Sequence, residues 1–338
     1  MMRVTTNGTL RTYRGHLARA TLNHYQSMNT VLTQRQFTSY ADSPSLATQS
    51  FRLHSAYARN TAQQSMSEEM ISKFEAAGSS LQQLQNQYRD ALNAAEQGQD
   101  DSKAGARVQL GKTLKGIAEG MVQTLNAQYG EKFIFAGADG DNAPFELKDG
   151  KLLFRGLDVN DPANEAAFKK MANETAYVDI GLGMQLDENE QVVPSTAFNS
   201  AISGIGLLGY GTTANGIPKN MISTIAELGE IYSRADSETG HLNPADSERA
   251  DALFDNLQES NSDFRANWTK MDTQAQFLKS NDTRLTSTGD TLQTQYEGLD
   301  RVDLADALTT FAYAQYSYNA ALRVGNDILS QSFIDYMR

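Results

Sequence analysis

The chain has no cysteine. That absence excludes a disulfide framework, a thiolate metal site and a cysteine nucleophile. Proline is scarce, at six residues, and tryptophan occurs once. Few prolines leave long helices uninterrupted. Histidine is equally sparse. His16, His24, His54 and His241 show neither HExxH nor paired-ligand spacing, so they offer no metal site. No stretch approaches the roughly 18–20 apolar residues that span a bilayer, and the start, Met1-Met2-Arg3-Val4-Thr5-Thr6, carries no apolar run of leader-peptide length. No membrane partner is expected.

Motifs that would carry catalysis are also missing. There is no GxSxG elbow and no glycine-rich loop ending in Lys. Gly204-Ile-Gly206-Leu-Leu-Gly209 matches the dinucleotide fingerprint by letter. The next residues, Tyr210-Gly-Thr-Thr-Ala-Asn-Gly-Ile-Pro218, cannot form the phosphate-binding helix that the chemistry needs. Asp139, Asp141 and the Asp187-Glu188-Asn189-Glu190 run lack the spacing of a calcium loop. Asn-x-Thr triplets such as Asn267-Trp268-Thr269 fall on helical stretches. The expectation is therefore no enzyme, no cofactor and no metal.

The residues that are present suit long, solvated helices. Apolar residues make up 40% of 338, enough for a core, yet mean hydropathy is −0.50. Net charge is −12 and is unevenly spread. Residues 1–67 hold seven arginines against the single acid Asp42, a balance of +6 that leaves −18 for the rest. The arginines are dispersed and match no nucleic-acid motif, so they point to acidic faces of the same or neighbouring subunits, not to nucleic acid.

The dominant pattern is a 4-3 apolar alternation, the mark of helices packed side by side. From Ala250 it runs through Phe254, Leu257, Asn261, Phe264, Trp268, Met271, Ala275, Leu278, Asp282, Leu285, Gly289, Leu292, Tyr296 and Leu299. Twelve of these fifteen positions are apolar, which predicts one helix of about fifty residues. Met70, Phe74, Ala77, Leu81, Leu84, Tyr88, Ala91 and Ala95 form a second seam, ending at Gly98. Leu110, Leu114, Ile117, Met121 and Leu125 form a third, ending before Gly130. Asp42-Ser43-Pro44 is a helix start. Ahead of it Leu10, Tyr13, Leu17, Ala20, His24, Met28 and Val31 make a weaker stripe. At the far end Leu304, Leu308, Phe311, Gln315, Tyr318, Leu322, Gly325 and Leu329 make another, continuing to Phe333 and Ile334.

The middle reads differently. Lys132-Phe133-Ile134-Phe135-Ala136 has strand character. Asp149-Gly150 fits a two-residue hairpin turn that pairs Phe145 with Phe154 and Leu147 with Leu152 on one face. Tyr177–Ile180 and Gln191–Pro194 extend the β character. The expected fold class is α+β: long antiparallel helices, a coiled-coil-like bundle of amino- and carboxy-terminal arms, with a β-rich inserted outer domain. The expected division is 1–44 with 300–338 as terminal assembly arms, 45–130 with 216–299 as a helical body, and 131–215 as the outward-facing insert.

The terminal stripes admit two readings. They pack on each other within one subunit, or neighbouring subunits complete them. The residues expected at the assembly interface are Leu10, Tyr13, Leu17, Leu308, Phe311, Tyr318, Leu322, Leu329 and Phe333. Tyr313, Tyr316, Tyr318 and Tyr336 lie around the last helix, and tyrosine, apolar with a polar tip, suits interfaces.

Several blocks also resemble one family. Arg3-Val4-Thr5-Thr6-Asn7 is similar to the start shared by flagellins and hook-associated proteins. Ser39-Tyr-Ala-Asp42-Ser43-Pro44-Ser-Leu-Ala47 sits where that group has a turn and an acidic-Asp-Pro signal before its first long helix. Gly130-Glu-Lys-Phe133-Ile-Phe135-Ala-Gly137, with Pro144-Phe145 after it, resembles the GxYLFGG…PF block of the hook-associated protein 3 family, the hook–filament junction proteins. Tyr177–Gly183, Val302–Leu308, Ala320–Gly325 and Leu329–Tyr336 come in the family's order. Ser43 departs from the second acidic residue usual there, as does Phe37-Thr38 from a basic or aliphatic residue.

The resemblance implies a self-assembling structural protein in the extracellular bacterial flagellum, exported through the flagellar type III apparatus and its chaperone without a cleaved signal peptide. It implies hook-associated protein 1, flagellin and a ring of like subunits as partners. Flagellin itself and a secreted coiled-coil adaptor are the alternatives.

Overall fold

The computed structural model describes the backbone of residues 6–36 and 43–336; side chains are described from Gly8 to Ile328, apart from residues 37–42, 101 and 103. The acid of the helix-start signal, Asp42, and the Arg3-Val4-Thr5 and Ser39–Ala41 parts of the resemblance lie outside the described residues. The chain is α+β. Among the described residues eight α-helices order as α1 (Thr6–Thr33), α2 (Pro44–Gln99), α3 (Arg107–Leu125), α4 (Glu165–Ala172), α5 (Gly204–Leu208), α6 (Met221–Ser233), α7 (Pro244–Asp300) and α8 (Leu304–Tyr336). The strands are short: β1 (Gln128–Tyr129), β2 (Lys132–Phe133), β3 (Ala136–Gly137), β4 (Phe145–Lys148), β5 (Lys151–Phe154), β6 (Leu157–Asp158), β7 (Tyr177–Val178), β8 (Phe198–Asn199) and β9 (Ile202–Ser203). Two compact units result, residues 62–285 and residues 1–61 with 286–338.

Residues 62–285 are organised by the seam between α2 and α7. Every α2 position of the sequence stripe, from Met70 to Ala95, is buried. From α7, Ala250, Leu257, Phe264, Met271, Leu278 and Leu285 are buried, with Leu253 beside them. The helices run antiparallel, since Tyr88 Oη donates to the Leu257 carbonyl at 3.4 Å while Lys279 Nζ reaches Glu75 Oε1 at 2.8 Å. Leucines at 4-3 spacing place one face of each helix permanently inside. On the other side α3 crosses α6 where two glycines meet. A Cβ at Gly111 would lie 2.6 Å from the Ser233 nitrogen, and one at Gly229 would lie 3.0 Å from the Gly111 oxygen. Only glycine permits that approach.

Residues 131–215 share the same hydrophobic core as these helices. Ile134, Phe135, Phe145, Leu152, Phe154, Phe168, Ile180 and Ile205 are all at most 2% exposed. The β4–β5 hairpin has the expected register, Phe145 opposite Phe154 and Leu147 opposite Leu152. Asp149 and Gly150 hold φ of 49° and 74°, the left-handed pair that a tight hairpin turn demands. The expected strand 132–136 is instead broken. Lys132–Phe133 pairs with β1 and Ala136–Gly137 with β9, because Ile134 and Phe135 between them turn into the core. Gly204–Leu208 forms a five-residue helix capped by the Ser203 hydroxyl.

Side chains of the long helices strap this region down by its backbone. Lys73 Nζ donates to the Ser200 carbonyl at 2.8 Å, and burial holds its pKa below the ordinary lysine value. Asn281 Nδ2 donates to Ile180 O at 2.8 Å, and Asn267 Nδ2 to Gly206 O at 3.2 Å. Asn126, just past α3, exchanges two hydrogen bonds with the backbone of Phe145, so a side chain continues the ladder where no strand can. Phe198 meets Phe74 edge-on at 5.5 Å.

One ion pair ties loops within the insert. Arg155 donates to both oxygens of Glu174, at 2.7 and 2.8 Å, and also to the Ala136 carbonyl. The Ala138 amide adds a third bond to Glu174 at 3.0 Å. Burial alone would push the Glu174 carboxyl up. These donors outweigh it and hold the group below its ordinary 4.5. A carboxyl depressed on folding contributes stability that is complete above its unfolded pKa and is lost as pH falls through the folded one.

Two outcomes are expected. Phe264→Ala should cost about 3–5 kcal/mol in urea unfolding, whereas Phe277→Ala, 46% exposed on the same helix, should cost under about 1 kcal/mol. Equal costs would contradict the seam assignment. Glu174→Gln should destabilise by about 1–3 kcal/mol at pH 7, with the gap to wild type closing below pH 4.5. A gap of the same size at pH 3 and pH 7 would remove the ion pair from the account.

Candidate assembly interface

The terminal unit is built on an antiparallel pair, α1 against α8. The α1 stripe is legible in the sequence and lies where the period puts it: Leu10, Tyr13, Leu17, Ala20, His24, Met28 and Val31 are all half-buried. His24 sits between Phe311 and Tyr318, 5.4 Å from each ring centroid, and stacks on Tyr318 at 25°. Lower down the pair, Gly325 faces Tyr13 so closely that a Cβ there would overlap the phenol.

The α8 face that meets α1 is not the leucine stripe. Ala307 is buried, and Phe311, Ala314, Tyr318, Ala321 and Ile328 are half-buried. These positions, with Gly325, are themselves a 4-3 repeat, one step away from the stripe through Leu304, Leu308 and Leu322. The two repeats share Phe311, Tyr318 and Gly325. Leucines dominate a search for apolar period, and alanines score low, so the alanine face is the part that sequence reasoning missed. Its signal was there: Ala307, Ala314 and Ala321 recur every seventh position, on one face, and small residues there allow close helix approach. The leucines stand outside. Leu304 is 46% exposed, Leu308 48% and Leu322 43%, while Tyr313 and Tyr316 exceed 70%. Leu22, Tyr25 and Leu32 of α1 are exposed as well. Of the nine expected interface residues, Leu10, Tyr13, Leu17, Phe311 and Tyr318 thus meet in the α1/α8 pair, and Leu308 and Leu322 point away from it. The side chains of Leu329 and Phe333 lie outside the described residues.

A polar clasp fixes the open end of the pair. Arg35 Nε donates to Asp300 Oδ2 at 3.0 Å, the Gln36 amide to the Asp300 carbonyl at 2.8 Å, and the Val302 amide to the Gln34 carbonyl at 3.2 Å. Asp300 raises the Arg35 pKa above its ordinary value. The carboxylate is only 12% exposed and the guanidinium 55%, so the contact serves mainly to set register. Nearby, His54 of α2 packs on Tyr296 of α7 at 5.6 Å.

Among the described residues no group of His, Asp and Glu is placed to hold a metal ion, and no helix is long and apolar enough to cross a membrane. What the terminal unit offers is apolar surface left uncovered on paired helices.

Solved structures share this architecture. A protein described as a flagellar hook-associated protein from Vibrio parahaemolyticus aligns with 77% of this chain and 100% of its own, at TM-score 0.59 and 15% identity. FlgL of Xanthomonas campestris aligns with 73% of this chain and 99% of its own, at TM-score 0.50 and 12% identity. The fold is similar to that of flagellar hook-associated proteins. No family model matches the sequence, and no curated protein does.

Phe311→Ala should loosen the α1/α8 pair without touching the α2/α7 seam. Amide exchange in residues 10–31 should speed up by at least tenfold while that around Phe264 stays unchanged. Unchanged exchange in α1 would show that the pair does not depend on this face.

Proposed function

We propose that the chain is a structural subunit of the bacterial flagellum that joins the hook to the flagellin filament. The observation that carries this reading is the uncovered apolar side of the α1/α8 pair. Leu304, Leu308 and Leu322 recur on the outer side of a helix already partnered along another face. Covering each half-exposed leucine is worth about 1 kcal/mol, and a contact repeated by many subunits multiplies that gain. The fold likeness to flagellar hook-associated proteins supports the same reading. So do the sequence blocks around Phe133–Gly137 and Val302–Leu308.

On this reading the protein acts as scaffold and not as catalyst. Its partners are hook-associated protein 1 on one side, flagellin on the other and further copies of itself around the ring. It works outside the cell and leaves by the flagellar type III export apparatus with its chaperone. The terminal arms, 1–44 and 300–338, do the joining. Residues 131–215 sit between the helical stretches 45–130 and 216–299, and their shared core with those helices means the insert steadies the body it grows from.

The test is a deletion strain. Cells lacking the gene should make hooks without filaments and shed flagellin into the medium. Leu308→Asp and Leu322→Asp should each leave thermal unfolding within about 0.5 kcal/mol of wild type, as surface changes do. They should nevertheless fail to restore filaments, because a charge sealed into a subunit contact costs several kcal/mol. Normal filaments in the deletion strain would refute the junction role, and full rescue by both variants would remove the leucines from it.

A further inference from the structure

The two sides of the α1/α8 pair differ in relief and in charge. At about 100° per residue, positions flanking the seam fall on one side or the other. On one side Ala20, Ser27 and Thr30 of α1 and Thr310, Ala314 and Ser317 of α8 line a groove of about 540 Å³. These small side chains floor it, Asn23, Gln26 and Tyr313 also line it, and the charged residue in its lining is Asp306. Tyr25 and Leu32 of α1, with Leu304, Leu308 and Leu322 of α8, fall on the opposite side. That side carries Arg11 and Arg14. Among the described residues it holds no carboxylate, since α1 has no acid and the acids of α8 lie elsewhere on its circumference.

We infer that this leucine side of one copy seats in the small-residue groove of a second copy, a head-to-tail contact. The inference rests on the assembly reading above and specifies which surfaces meet. Shape favours it: projecting leucines and a tyrosine on one side, a channel floored by alanine and serine on the other. Charge favours it too. Joining two leucine sides would set Arg11 and Arg14 against their own copies, with no acid between. Joining leucine side to groove brings an arginine-bearing surface to one that carries Asp306. The two surfaces are different, so the contact does not close at two copies. It repeats, into a ring if the rotation closes and into a helix if it does not.

The chain's lack of cysteine makes a direct test possible. Pairs of differently tagged single-cysteine variants are expressed together in a strain of the source bacterium lacking the gene. One member is Ala18→Cys or Tyr25→Cys, on the leucine side. The other is Gln26→Cys, Thr310→Cys or Ser317→Cys, in or beside the groove. All five positions are surface residues, so folding is not at stake, and unchanged circular dichroism and melting check this for each. Appendages are sheared off, treated with a short bis-maleimide and run on denaturing gels. The expected result is filaments restored, with at least one mixed pair cross-linking at tenfold or more the yield of either variant with itself. Filaments with cross-links chiefly between two copies of Ala18→Cys or of Tyr25→Cys would overturn the inference in favour of a two-fold contact and leave the junction role standing. Filaments with no cross-link in any combination would overturn it too. If cells lacking the gene make normal filaments, the functional reading itself fails, and this inference falls with it.

Discussion

Everything in the larger unit depends on one antiparallel apolar seam. Helices of 56 and 57 residues have backbones that are satisfied internally, but their sequences are rich in Asn, Ser and Thr, which are indifferent helix formers. Alone in water neither would be rigid. Phe74, Leu81 and Leu84 from one side, with Leu257, Phe264 and Leu278 from the other, hold the parts of these helices within residues 62–285 together as one packed pair. With that pair in place, α3 and α6 have a surface to lie on, and the short strands have a wall.

The strands need that wall. Among the described residues none exceeds four residues, and the largest sheet has three strands, too little to stand alone in water. Their phenylalanines therefore enter the helical core, and polar side chains from helices serve backbone groups that a larger sheet would have paired. Asn126, Asn267, Asn281 and Lys73 all act in this way. This explains one feature that looks out of place. Asn281, buried in a long helix, looks like a misplaced polar residue until its carbonyl partner is seen. Asn261, a polar position in the seam stripe, remains without such a partner for its side-chain oxygen, and nothing in the structure explains it.

Most of the helical architecture was legible because a 4-3 repeat leaves little freedom. The stripe from Met70 to Ala95 lies buried throughout, and the hairpin register came directly from Asp149-Gly150. Two things were not legible. The burial of Ile134, Phe135 and Phe168 in the helical core depends on partners distant in sequence, which no local pattern reveals. The face of α8 that meets α1 was also hidden. Apolar period measures where large side chains lie, whereas close approach of two helices is set by small ones. Ala307, Ala314 and Ala321 let the backbones near each other, and Tyr13, His24 and Tyr318 fill the remaining space. The leucines next to them were the louder signal for a different surface.

That division of labour on α8 has a physical consequence. A helix with one apolar face becomes satisfied once that face is covered. α8 has two overlapping repeats that share only Phe311, Tyr318 and Gly325, so no single partner helix can cover both. α1 covers the alanine repeat and leaves the leucine repeat to solvent. A monomer carrying such a surface needs protection from indiscriminate association. The surrounding polar residues, the arginines beside the leucines and the acidic balance of the whole chain supply it. Half-exposed leucines at about 1 kcal/mol each are too weak to hold one pair of molecules firmly. In the head-to-tail contact proposed above every copy would make the contact twice, once with each surface, so the interaction would be feeble for an isolated pair and strong for a closed set. Stability that appears only on closure would suit the proposed role, that of a part kept separate until it reaches its place.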